Sequence, residues 1–423
     1  MTILKIKGIL LIALTILIGG CSVSKRMQKE LEQQSQESNF FTGVVVYNTK
    51  SDKKIIDYQG SKYFTPASNV KLFTFYTAWK TLKDSVASFE YAELKDSLII
   101  RGTGDPGFLN DSINKCSLEV LRNTNKNIYL INDEIEDTPY GDGWSWDDFP
   151  YYYMPERSVF PVFGNTLDLS KNEENLIVTP SLFAENVKVV DSFQNSREPE
   201  ENIFYVRNSD SFEKKEIPFK MSNQLVADLL GQELGTKVTL IPSKDSYVFK
   251  PVNRVVYDSL FTKMLVDSDN FIAEQLMLQV GKKVEGTFRV RAGIEYALDH
   301  FFKEIPQIPR WVDGSGLSRY NLFTPSSMVY VLKKLYEEIP HQQLFNYFPK
   351  GGESGTLKNG YESQPYIRAK SGTLSNNYCL SGYLITKKGT VLIFSFMNNH
   401  YYDKSEARKK EMAAYFSKLY EAY

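Results

Sequence analysis

Cysteine and histidine are scarce in this chain of 423 residues, with three of each. Cys21 closes an apolar N-terminal run, and the two remaining cysteines, Cys116 and Cys379, are too far apart in sequence to suggest a disulfide framework. His300, His341 and His400 lie in unrelated contexts without zinc-type spacing, which leaves a metal hydrolase or a histidine-based triad unsupported. Neither sign of charge is in excess: 50 Lys plus Arg stand against 51 Asp plus Glu, so no electrostatic argument favours a nucleic-acid partner. Internal repeats and long low-complexity tracts are also missing. What is present is apolar content, 42% of residues, enough for a large core, and a length that suits more than one domain.

Residues 1–20 carry Lys5 and Lys7, then the run I-L-L-I-A-L-T-I-L-I, then Gly19 and Gly20 ahead of Cys21. Such a segment reads as an export signal, too short to span comfortably as a mature helix. Its ending, I-G-G-C, resembles the bacterial lipobox, in which the cysteine is lipidated and becomes the mature N-terminus. A plain secretory signal with an incidental cysteine is the alternative. The expected product begins at Cys21, is anchored outside the cytoplasm, facing the periplasm from an outer membrane, and carries a flexible polar tether over residues 21–38.

After the tether, G-V-V-V-Y and K-I-I-D-Y predict a strand pair that leads into T-P-A-S-N-V-K-L-F-T-F, residues 65–75. Thr65 suits a helix cap and Pro66 a first helical position, and Leu72, Phe73, Phe75, Tyr76, Trp79 and Leu82 cover most of the helix circumference. Such a helix is buried, so Lys71 within it needs a reason. From 88 to 220 the texture changes to short strand-like runs broken by Gly, Pro and Asp, which reads as a mostly β inserted domain. Helical patterns then return, and N-Y-C-L-S-G-Y-L-I-T and T-V-L-I-F-S-F-M predict two strands before a final helix from about 403. Strands at both ends with helices between predict an α+β domain over 39–87 and 221–423, closed by non-local pairing.

Three short motifs carry chemistry. In S-x-x-K, one helical turn separates Ser68 from Lys71, close enough for a desolvated amine to take the hydroxyl proton. Taken alone, the motif also fits a cap-proximal serine beside a snorkelling lysine. Ser268, Asp269 and Asn270 precede an apolar helical run, where an ordinary cap is the plain reading. In A-K-S-G-T-L, Lys370, Ser371, Gly372 and Thr373 offer a cation, hydroxyls and a strand edge to a substrate carboxylate and backbone; a hairpin approach with a surface lysine is the plain reading. Together, in this order, they form the set shared by penicillin-binding proteins and class A β-lactamases, with Ser371 in place of the usual threonine.

Beyond the set, F-T-P-A-S-N-V-K-L-F-T, G-T-G-D-P (102–106), S-D-N-F-I-A-E, D-G-S-G-L-S-R (313–319), G-T-L-K-N (355–359) and A-K-S-G-T-L resemble the low-molecular-mass class C penicillin-binding proteins over roughly residues 40–400. These are D-alanyl-D-alanine carboxypeptidases that also act as endopeptidases, with an inserted domain between the first two motifs. The resemblance implies a serine transpeptidase/β-lactamase-like fold, an acyl-serine mechanism on peptidoglycan stem peptides, inhibition by β-lactams, and no cofactor or metal. It implies Ser68 as nucleophile, Lys71 as base, Ser268 as proton relay, Asn270 holding Lys71 and the substrate amide, and Lys370, Ser371 and Thr373 on the terminal carboxylate. Asp133, in I-N-D-E, matches a family acid that meets the substrate's side-chain amine, or is a loop carboxylate. Arg319 is either a carboxylate contact or part of a structural salt bridge. A β-lactamase and a non-catalytic lipid-anchored wall-binding protein are the competing readings; 150 or so additional residues argue against the first and a full set of reactive side chains against the second.

Overall fold

The computed structural model describes residues 23–423 except 83–84, 111–112, 114–117, 173–174, 244–246 and 256. The signal segment, Cys21 and Cys116 therefore lie outside the described residues. Both ends of the chain build one antiparallel sheet of five strands, in the spatial order Ile367–Leu374, Asn377–Ile385, Val391–Asn399, Phe41–Asn48, Lys53–Tyr58. Alternation along the strands sorts the side chains: Val45, Tyr47, Cys379, Tyr383, Ile393 and Met397 face a helical core, while Val44, Val46, Leu380, Leu384, Phe394 and Phe396 face the other way.

Helices Lys71–Leu82, Tyr257–Val266, Asn270–Glu285 and Pro325–Glu338 pack on the first face. Phe73 is wholly buried at the centre, its ring against those of Phe302, Trp311 and Phe323. Removing a ring from such a site costs about 3–5 kcal/mol. The second face is covered by the C-terminal helix Ser405–Ala422 and by a helix over 23–37. That second helix is where a flexible tether was expected over 21–38. Met27 and Leu31 sit four positions apart on one face, and both are buried, so the polar stretch is the solvent side of an amphipathic helix. It runs antiparallel to the C-terminal helix, with Glu30 paired to Lys418 at 2.6 Å and the Arg408 guanidinium over Phe40. Among the described residues no helix is long and apolar enough to cross a membrane.

A second core forms between the first two motifs. A five-stranded sheet combines Ser85–Glu93, Ser97–Gly102, Asn127–Ile131, Val238–Ile241 and Lys250–Val255, and smaller sheets take Thr166–Asn172, Asn175–Thr179 and Lys214–Pro218, and Val187–Val190 with Phe204–Arg207. The sequence pattern placed the end of the insert at 220. Helix Asn223–Leu234, however, buries Val226, Ala227, Leu229 and Leu230 in this second core, and the two strands that follow pair with Asn127–Ile131 and Ser85–Glu93. We therefore take the inserted region to run from 85 to 255. Its helix was assigned to the other domain because apolar periodicity reports burial without saying in which core.

Candidate active site

Ser68 stands on the 3-10 turn Ala67–Val70, which feeds directly into helix Lys71–Leu82. Thr65 does not cap this helix by its side chain: its N–H donates to Asn399 Oδ1 and its carbonyl accepts from Asn399 Nδ2, and Pro66 sits at the cap position. The chain thus enters the turn fixed to the sheet, and Ala67 takes φ +48, a left-handed conformation uncommon for a residue with a side chain. Gly316 packs against this turn so closely that a Cβ there would run into the Ala67 carbonyl. Gly372 does the same from the strand Ile367–Leu374, meeting the Pro66 carbonyl. Two glycines let two segments close on the nucleophile turn.

Lys71 is completely buried, and its Nζ donates to Ser68 Oγ at 3.0 Å, to Asn270 Oδ1 at 2.6 Å and to the Ser315 carbonyl at 2.6 Å. Burial lowers its pKa to about 8, against the opposing pull of Asp313, Glu274 and Asp269. A fraction of the amine is neutral near physiological pH, which is the form able to accept a proton.

The second motif splits its duties. Asp269 is the cap, accepting from Ile272 N at 2.9 Å, so the plain reading holds for the middle residue. Ser268, at φ +63, turns its hydroxyl to the Lys370 amine, which donates to it at 2.8 Å. Asn270 bridges outward: Oδ1 takes Lys71 and Nδ2 donates to the Tyr153 carbonyl of the inserted region at 2.9 Å. Lys370 is wholly buried, and burial, with Lys71 nearby adding a like charge, depresses its pKa well below the ordinary value. Ser371 donates to Thr356 Oγ1 at 2.7 Å, and Asn69 Nδ2 ties the Lys370 carbonyl to the nucleophile turn at 2.9 Å. The three motifs thus converge, and two lysines share one hydroxyl-lined space.

A buried charge network that the sequence analysis missed supports them. Glu274 lies four residues after Asn270, hence on the same helix face. Its Oε2 accepts from Arg157 Nη2 at 2.6 Å and its Oε1 from Ser315 N at 2.7 Å, the residue whose carbonyl holds Lys71. Asp313 takes Gly316 N, Ser318 N, Asn321 Nδ2 and Trp144 Nε1, which sets the shape of the 313–318 loop. Burial pushes Glu274 upward; for Arg157, burial pulls down but Glu274 and Asp137 outweigh it. The available signal was a Glu inside the apolar run F-I-A-E-Q-L-M-L, at the spacing of one turn from Asn270.

Ser68, Ser268, Asn270, Ser371, Thr373 and Arg319 all line one open cleft of about 820 Å³. Arg319 is exposed there and, among the described residues, forms no ion pair, so the salt-bridge alternative is not realised. Asp133 is elsewhere: it lines a separate pocket with Lys282 and Lys283, and its carbonyl accepts from Asn223. It follows the strand Asn127–Ile131, the second strand from the edge of the inserted five-stranded sheet. The inserted region brings three acids to the cleft: Asp168 and Glu216, which both hold Lys214, and Asp148, in D-G-W-S-W-D-D-F. Cys379 is a buried free thiol whose pKa burial raises to about 12.

The chain is similar to several known proteins. The family model for D-Ala-D-Ala carboxypeptidase 3 (S13) matches residues 23–210 and 255–419. D-alanyl-D-alanine carboxypeptidase DacB of Haemophilus influenzae is 26% identical over 384 residues, covering 77% of this chain and 78% of that protein. Penicillin-sensitive carboxypeptidase A of Dictyostelium discoideum is 24% identical over 381 residues, covering 71% and 70%. The crystal structure of penicillin binding protein 4 from Haemophilus influenzae has the same fold, with a TM-score of 0.74 at 22% identity, covering 90% of this chain and 97% of that one. A serine, an asparagine and two buried lysines joined by hydrogen bonds at one cleft, with the family match covering residues 23–210 and 255–419, lead to one assignment: the chain belongs to the D-Ala-D-Ala carboxypeptidase 3 (S13) family of serine peptidases.

Proposed function

We propose that this protein removes the terminal D-alanine of peptidoglycan stem peptides through an acyl-serine intermediate, cuts cross-links between stems by the same chemistry, and is inhibited by penicillins. The observation that carries the reading is the buried Lys71 amine, shared between Ser68 Oγ and Asn270 Oδ1. Neutral Lys71 takes the Ser68 proton as Oγ attacks the carbonyl between the two terminal D-alanines. The backbone N–H groups of Ser68 and Thr373 receive the developing oxyanion, whose loss of one donor costs on the order of 10²-fold or more. Ser268, held by Lys370, relays a proton to the departing amine, and water then releases the acyl group. Lys370, Ser371, Thr373 and Arg319 meet the terminal carboxylate, and Asp148, in place of Asp133, is the cleft acid for a stem side-chain amine.

When the departing amine is the free D-alanine the reaction is a carboxypeptidase step; when it belongs to a neighbouring stem it is an endopeptidase step. The relatives' names speak of penicillin binding and penicillin sensitivity, which supports β-lactams as acylating mimics of the D-Ala-D-Ala end. For location we propose lipidation at Cys21 and residence on the periplasmic side of an outer membrane, on the sequence pattern alone.

The test is intact-protein mass spectrometry of residues 23–423 after brief exposure to benzylpenicillin, with Ser68→Ala as control. A lasting adduct absent from the variant is expected. Penicillin consumed without an adduct would mark a β-lactamase, and penicillin left intact without an adduct would leave a binding protein.

A further inference from the structure

The cleft does not end at the catalytic residues. A second groove of about 690 Å³ adjoins it, and Tyr152, Lys214 and Glu216 belong to both. That volume lies within the range of roughly 300–1,000 Å³ for small-molecule sites. Its walls come only from the inserted region.

One wall is the tyrosine loop. Tyr151 and Tyr152 are 54% and 64% exposed, which is unusual for adjacent large aromatics without a partner surface. They are nevertheless ordered by their neighbour: the Tyr151 ring stacks on Tyr153 with planes 3° apart, and Tyr152 meets Tyr153 edge-on. Tyr153 in turn gives its carbonyl to Asn270 Nδ2, so the loop that lines the groove is bonded to the catalytic centre. The opposite wall carries Phe193, with the Arg207 guanidinium 4.7 Å from its ring centre, then Gln194, Asn195 and Ser196. Ser196 Oγ donates to the Pro150 carbonyl at 3.3 Å, which holds the two walls at a fixed spacing.

Flat aromatic faces, a planar guanidinium and neutral amides and hydroxyls in one groove are what a sugar ring asks for. Such a ring has apolar C–H faces and a rim of hydroxyls that both donate and accept. Charge does not dominate the floor, because Lys214 is already matched by Asp168 at 3.0 Å and Glu216 at 2.6 Å. Resting on the peptidoglycan reading above, we propose that this groove binds the N-acetylated glycan to which a stem peptide is attached, while the D-alanyl end occupies the Ser68 cleft.

The test uses three substrates ending in D-Ala-D-Ala: the bare stem peptide, the same stem carrying its disaccharide, and a cross-linked peptide dimer without sugar. The expected result is a KM about tenfold lower for the disaccharide substrate than for the bare peptide, as for other anchoring aromatics. Tyr151→Ala and Arg207→Ala, each outside the Ser68 cleft, should erase that advantage and leave kcat on the bare peptide and the rate of penicillin acylation unchanged. The acylation rate also verifies that each variant is folded. Equal KM for the bare and sugar-bearing peptides would overturn the proposal, as would an advantage that survives in both variants. A gain seen with the sugar-free dimer and lost in the variants would make the groove a peptide site and equally overturn it. Failure of the carboxypeptidase reading is a separate outcome, visible as no turnover of any of the three.

Discussion

The surroundings of Ser68 and the inserted strands beside the second groove handle charge in opposite ways. Around Ser68 four ionisable groups are interior: Lys71 and Lys370 have no exposed surface, and Glu274 and Arg157 have almost none. On the inserted sheets, Lys214 with Asp168 and Glu216, and Arg207 with Asp210, sit as pairs open to solvent. Burial raises the energy of an ion and so makes proton affinity adjustable, while water levels exposed pairs and leaves each worth about 0–1 kcal/mol. Reactivity is concentrated where hydration has been withdrawn, and the second groove offers shape and hydrogen bonding instead.

That contrast can be broken at several points. The largest effect should come from Lys71→Met, which keeps the buried stem but deletes the amine; penicillin acylation should fall by about 10²–10⁴-fold, followed by stopped-flow or mass spectrometry. An unchanged rate would mean that some other group takes the Ser68 proton. In the wild-type protein the rate should climb with pH through about 8, because the reactive amine is the neutral form and burial has brought its pKa down to that value. A rate that falls across this range would require protonated Lys71 to be the active species.

A smaller, directional effect is expected from Glu274→Gln. The carboxylate raises the Lys71 pKa, so its removal should move the midpoint of the acylation profile to lower pH. If the midpoint stays put while only the urea midpoint shifts, Glu274 acts by packing and not through Lys71. Smallest of all should be Lys214→Ala in the inserted region, changing unfolding free energy by no more than about 1 kcal/mol in denaturant titration. A loss several times greater would erase the distinction between the two regions.

Local pattern made most of the candidate site legible, because each motif is short and each residue in it has a steric or chemical reason to be adjacent to the next. Ser68 and Lys71 were readable as one helical turn, and the strands of the main sheet as alternation. What was missed depends on distance in sequence. The bond from Arg157 to Glu274 crosses 117 positions, and no spacing rule links them. A short acidic match pointed to Asp133, and nothing local in I-N-D-E tells that its loop borders a different pocket from the Ser68 cleft. Polar composition over 22–38 suggested slack chain, since two buried residues, Met27 and Leu31, are too few to announce an amphipathic face.

That last helix bears on where the enzyme works. Because it runs antiparallel to Ser405–Ala422, residue 23 lies toward the Tyr423 end, while Lys409, near the opposite end, borders the Ser68 cleft. The intervening stretch of helix measures about 20 Å at ~1.5 Å per residue. With the lipid proposed at Cys21, the anchor lies two positions in sequence before residue 23. The cleft would then stand at a set height above the bilayer, reaching only the layer of wall at that height, as a fixed blade and not a tool on a leash.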